Sequence, residues 1–121
     1  MTRLIILIGF AVAAASAHAQ EAELSDYTNE QLLAPCQEGD NDARWGAAAE
    51  AECEQYLRGF TDAYLLMTDN GKADGICLPE LNRDDEVRWA FMKWVRQNHA
   101  DRHKPAAEGL MATLKTAFKC P

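Results

Sequence analysis

The sequence predicts an all-α fold: a compact bundle of about four helices stapled by disulfides. Three observations predict it. Apolar residues recur at three- and four-residue steps in several segments, the signature of amphipathic helices. No segment sustains the period-two alternation of a half-buried strand. Four cysteines, Cys36, Cys53, Cys77 and Cys120, fall in a short chain that begins with an export signal, and this combination reads as a disulfide framework.

The signal occupies residues 1–19. Arg3 supplies the positive start, Leu4 to Ala15 form an uncharged apolar run, and Ala17-His18-Ala19 offers the small-x-small cleavage site before Gln20. The run is shorter than the roughly 20 residues that span a bilayer. Residues 20–121 then form one domain, long enough for only a modest core. The chain carries a net charge of −7, and cleavage removes Arg3, leaving it more acidic still. That balance argues against nucleic acid and against an anionic membrane surface, both of which attract Lys/Arg clusters. It suits a basic protein partner.

Along the domain, residues 20–27 read as a loose lead-in. Thr28-x-x-Gln31 resembles a capping box and opens a short helix from about Asn29 to Cys36. Residues 37–43 read as a polar loop. The second helix carries a stripe of Trp45, Ala49, Cys53, Tyr56, Phe60, Ala63, Tyr64 and Met67. Gly59 inside it costs about 1 kcal/mol relative to Ala and is expected to mark a close helix crossing. Residues 69–76 (DNGKADGI) form a turn-rich loop. Asn82 is the expected N-cap of the third helix, with acidic residues in its first turn. Val87, Ala90, Phe91, Trp94 and Asn98 share one face of that helix, while Trp89, Met92 and Arg96 share the opposite one. The chain breaks near Ala100. Pro105 suits the first turn of a last helix striped by Ala107, Leu110, Met111, Leu114, Ala117 and Phe118.

Four cysteines allow three pairings, and the sequence alone does not choose among them. Helix geometry favours Cys53–Cys77 with Cys36–Cys120. Helix two runs on for about 20 Å beyond Cys53, and the following loop is long enough to return alongside it at up to ~3.5 Å per residue. The second bridge would then tie both ends of the domain together.

No nucleophile–base constellation is visible, so the sequence reads as that of a non-enzyme. Oxidised cysteines offer no thiolate. His99 and His103 stand four apart but lack the adjacent Glu of a zinc-protease helix, and the chain breaks between them, so no metal site is expected. Asp62 reads as a surface residue. There is no glycine loop for a phosphate, and no cofactor is expected. Trp89, with Met92 and Arg96, is of the residue types enriched at protein interfaces.

Taken together, Cys53-x-x-Tyr56-Leu57-x-Gly59-x-x-Asp62-Ala63, Cys77-x-Pro79, Arg102-His103-x-x-Ala106-Ala107 and Ala117-Phe118-x-Cys120 resemble the Rap/Tai family of type VI secretion amidase immunity proteins. The resemblance covers roughly Leu32 to Cys120. The family often has Pro where Ala100 stands, and tends to end Phe-Pro-Cys where this chain has Phe118-Lys119-Cys120-Pro121. What the resemblance implies is an HdeA-like helical domain in the periplasm, often dimeric, that plugs the cleft of a Cys–His peptidoglycan amidase effector. The same fold resemblance allows a second reading, a periplasmic chaperone-like protein of HdeA type acting on unfolded clients. For the first reading, the expected partner surface is the loop Asp69–Ile76, with Asp69, Asn70, Lys72 and Asp74, together with Trp89, Met92 and Arg96 on helix three. Trp89 and Met92 alternatively form the contact between two copies.

The signal reading makes a direct prediction: mass spectrometry of the exported protein should find its N-terminus at Gln20, and a membrane-held product retaining Met1 would refute it.

Overall fold

The computed structural model describes residues 23–40 and 44–121; the expected signal lies outside them. Four α-helices follow one another, α1 (Asn29–Gly39), α2 (Gly46–Met67), α3 (Arg83–Gln97) and α4 (Ala106–Ala117), with 3-10 turns at Lys72–Asp74 and His99–Asp101. Among the described residues the only extended pairings are two isolated bridges, Thr28 with Pro105 and Ile76 with Lys119.

The capping box at the start of α1 is present in full. Thr28 Oγ1 accepts from Gln31 N, and Gln31 Oε1 accepts from Thr28 N. The helix then passes Cys36 and ends at Gly39, although Pro35 lies inside it. A helical proline has no N–H for the carbonyl four residues back. Here that carbonyl belongs to Gln31, and the Tyr27 hydroxyl reaches it at 3.2 Å. The same hydroxyl lies 3.1 Å from Glu52 on α2. Burial and this carboxylate push the Tyr27 phenol up to about 12.

α1 packs chiefly on α2. At their crossing a Cβ on Gly39 would stand 2.8 Å from Glu50 Cα. The close approach expected at Gly59 falls instead at Gly39; Gly59 faces open space. The face of α2 is also rotated from the expected stripe. Cys53, Leu57, Thr61 and Tyr64 are buried, while Trp45 and Met67 are exposed. Thr61 enters the core because its hydroxyl donates to the Leu57 carbonyl at 2.9 Å, so no polar group is stranded. On α3 the buried residues are Val87, Arg88, Phe91, Met92 and Val95. Met92, expected on the outward face, is packed in the core at 4% exposure. Asn82 does precede α3, but in a left-handed conformation and without a side-chain cap.

The disulfides are Cys36–Cys53 and Cys77–Cys120, correcting the favoured pairing. The loop after α2 does not run back along the helix. It folds on itself, with Ile76 N donating to Gly71 O, and so leaves Cys77 at the far end of α2. Cys53 is fourteen residues before Met67, about 21 Å along the axis. Cys36 meets Cys53 across the α1–α2 contact. By chain-entropy estimates, loops of 17 and 43 residues contribute about 3 and about 4 kcal/mol.

The start of α1 is tied to the connection between α3 and α4. Asn29 N donates to Lys104 O, Glu30 N to Arg102 O, and Ala106 N to Tyr27 O. Asn29 is fully buried; its Nδ2 donates to Asp101 O at 2.9 Å, and its Oδ1 lies against Gly109. A Cβ on Gly109 would come within 1.9 Å of that oxygen. On another side, Arg88 is buried among carboxylates of α2, of α3 and of Asp40 just after α1. It pairs with Glu50 at 3.2 Å and Asp85 at 3.0 Å, with Asp40 and Glu54 each at 3.9 Å.

Gly109→Ala should destabilise the fold by about 1–3 kcal/mol through overpacking, measured by urea denaturation. Combined with Asn29→Ala it should be non-additive, because the same two atoms collide; simple additivity would locate the strain elsewhere.

Candidate partner-binding surface

The loop after α2 is built from a left-handed turn. Thr68 closes the helix, its N–H and hydroxyl both donating to Tyr64 O. Asp69, Asn70 and Gly71 then follow at φ 49°, 62° and 77°. Asp and Asn tolerate this region better than other side chains, because they bond locally to backbone. Gly71 has a further reason to lack a side chain: a Cβ would stand 2.7 Å from Ile76 O. Gly71 N donates to Thr68 Oγ1, and Asn70 N to Leu65 O.

Two anchors hold the loop to the body. Ile76 is buried in the core. The Tyr64 hydroxyl donates to Asp74 Oδ2 at 3.0 Å, and burial followed by this carboxylate raises the Tyr64 phenol above its ordinary value. Beyond the loop, Cys77 N donates to Phe118 O at 2.8 Å and Cys120 N to Gly75 O at 2.9 Å, flanking the Cys77–Cys120 bridge. Asp69, Asn70, Lys72 and Asp74 are left exposed on this fixed frame. Leu66 and Met67, at the end of α2, are 87% and 83% exposed beside them.

A groove of about 430 Å³ lies between α3 and the end of α4. Trp89, Lys93 and Trp94 form one wall, and Thr116 and Phe118 the other. Trp89 is half-exposed. Phe118 both lines this groove and receives the Cys77 hydrogen bond, so loop and groove meet on the segment Phe118–Cys120.

Of the residues expected at the partner surface, Asp69, Asn70, Lys72 and Asp74 stand exposed on the loop and Trp89 on the groove wall, the loop and groove being linked through Phe118–Cys120. Met92 is turned into the core, because the buried side of α3 centres on Phe91 and Val95. Arg96 is exposed but does not line the groove. Sequence reasoning missed Leu66, Met67, Trp94 and Phe118. For Leu66 a signal existed: it stands outside every core step of α2. His99 and His103 are both exposed, and no single α-helix carries them. The surface thus combines a rigid polar loop, two bare apolar side chains and an aromatic groove, a composition suited to another macromolecule.

The family model of the Rap1a immunity proteins matches residues 28–120. This chain belongs to that family. The match opens at the capping Thr28 and closes at Cys120, so it takes in both disulfides, the loop and the groove. Neither the curated proteins nor the solved structures contain a match. Membership in the Rap1a family supports an immunity-protein role and, with it, a partner effector protein.

Tyr64→Phe should cost about 1 kcal/mol and quicken amide exchange across residues 69–76. Because the Tyr64 phenol is raised in the fold, its contribution is full below about pH 10, the ordinary phenol value, and is lost as pH climbs through the folded value. The variant should lack that part of the alkaline decline in stability; an unchanged alkaline limb would assign it to another group.

Proposed function

We propose that this Rap1a-family protein binds and inhibits a type VI secreted peptidoglycan amidase in the periplasm, without catalysis of its own. Family membership supports the immunity role, and one structural observation carries the mode of action. The loop Asp69–Ile76 is fixed at both ends, by α2 and by the Cys77–Cys120 bridge, and within itself by its left-handed turn. A loop ordered beforehand loses little entropy on entering a cleft. Asp69 and Asp74 face a basic rim on the partner, and Trp89 supplies an apolar anchor beside the loop. The surface offers recognition groups: exposed carboxylates, an amide and bare apolar side chains.

The test is a titration of the processed protein into the amidase encoded with the type VI system of the same genome, with turnover of purified peptidoglycan as readout. Replacing Asn70–Asp74 by a Gly-Ser linker should reduce inhibition while leaving the helical circular dichroism intact. Trp89→Ala should weaken binding by about 2 kcal/mol or more if Trp89 is a hot spot. A shift toward monomer in sedimentation, with amidase binding unchanged, would instead make Trp89 a contact between two copies. Full inhibition by the linker variant would place the partner surface elsewhere, and protection of unfolded clients without amidase binding would favour the chaperone reading.

A further inference from the structure

The two disulfides differ in where they lie. Cys36 and Cys53 are fully buried in the core between α1 and α2. Cys77 is exposed and Cys120 partly so. Thiol–disulfide exchange requires a thiolate to reach a sulfur, so access separates the two bridges kinetically. The exposed bridge also has a different job. It joins the end of the loop Asp69–Ile76 to the segment after α4, whose Phe118 lines the aromatic groove. Apart from the bridge, that segment is tied to the loop by two backbone hydrogen bonds, Cys77 N to Phe118 O and Cys120 N to Gly75 O, and to the body by Phe118, whose N–H donates to Leu114 O and whose ring packs against the core. The four helices, by contrast, carry most of the core between them.

From this we infer that Cys77–Cys120 is a redox latch on the partner surface, opened by a dithiol reductant while the Cys36–Cys53 bridge and the helical body stay intact. A thiolate of the reductant attacks Cys77 Sγ, forming a mixed disulfide and expelling Cys120 as thiolate, which takes up a proton. The second thiol of the reductant displaces Cys77 and closes its own disulfide. The protein gains two electrons and two protons, and the dithiol is oxidised. Opening removes the covalent tie between the loop's far end and residues 119–121, so the loop keeps only its Ile76 and Asp74 anchors and Phe118 only its own packing, and the surface loses part of its prior order. That regulation rests on the binding reading above; the opening itself does not.

The experiment uses the processed full domain in graded dithiothreitol, with timed alkylation and peptide mapping. Cys77 and Cys120 should be labelled at least about tenfold faster than Cys36 and Cys53, as expected where access governs exchange. At that stage far-UV circular dichroism should be unchanged, and deuterium uptake should rise in residues 69–76 and 118–121. Simultaneous opening of both bridges, loss of helix with the first bridge, or unchanged uptake in those segments would each overturn the latch. Cys77→Ser with Cys120→Ser fixes the open state. It should stay helical, show the raised uptake without reductant, and bind the amidase at least about tenfold more weakly than the oxidised protein. Equal binding by the two forms would overturn the regulatory role. Failure of the oxidised protein to bind would count against the binding reading alone, since labelling and deuterium uptake are read without a partner.

Discussion

Burial of Asn29 is the constraint from which the rest of the architecture follows. The first N–H groups of a helix have no partner within it, and those of α1 face protein rather than water. The carbonyls of Arg102 and Lys104 take the first two backbone donors, and Asp101 takes the side-chain amide. The chain between α3 and α4 must therefore fold across the start of α1, and α4 must begin at Ala106 with Gly109 directed at the Asn29 oxygen. Once α1 is fixed at that end, Cys36 meets Cys53 and sets α2. A core this small has few apolar side chains with which to choose among helix arrangements. Directional bonds at the start of α1, two from its backbone and one from the buried Asn29 amide, make the choice instead.

Arg88 fixes the opposite side. Four carboxylates, from α2, α3 and Asp40 just after α1, converge on one nearly buried guanidinium. A buried ion pair adds little net stability against an apolar substitute, because desolvation offsets the attraction. Its effect is orientational: α3 can rotate on α2 only by stranding the charge. The carboxylates keep access to water, so the charge is compensated from the solvent side of the helix junction. The rotation of α3 that buries Arg88 also carries Met92 inward and presents Trp89 and Trp94 to the groove.

Helix number, the capping box and the turn-rich loop were legible in the sequence, because each rests on local chemistry. Thr28 and Gln31 bond within one turn, and DNGKADGI names its own turn residues. Facing was less legible. Thr61 and Thr113 look polar, yet each returns its hydroxyl to a carbonyl four residues back and packs as an apolar group. That shifted the apparent stripe of α2 and misdirected the expected crossing to Gly59. The disulfide pairing failed for a related reason. Loop length limits how far Cys77 can travel but not which way it turns, and the left-handed residues 69–71 send it toward Phe118. The candidate surface was half legible: the loop came from its composition, while Phe118 joined it only through tertiary hydrogen bonds.

The left-handed run at Asp69, Asn70 and Gly71 divides the surface into two kinds of position. Those three are committed to backbone shape; most other side chains there would strain the turn. Leu66, Met67 and Lys72 project from ordinary helical or open positions with little packed against them. A change at one of these would alter the exposed face of the candidate surface without disturbing how it is held. Such a separation would let the proposed recognition face drift residue by residue while the scaffold that holds it stays constant.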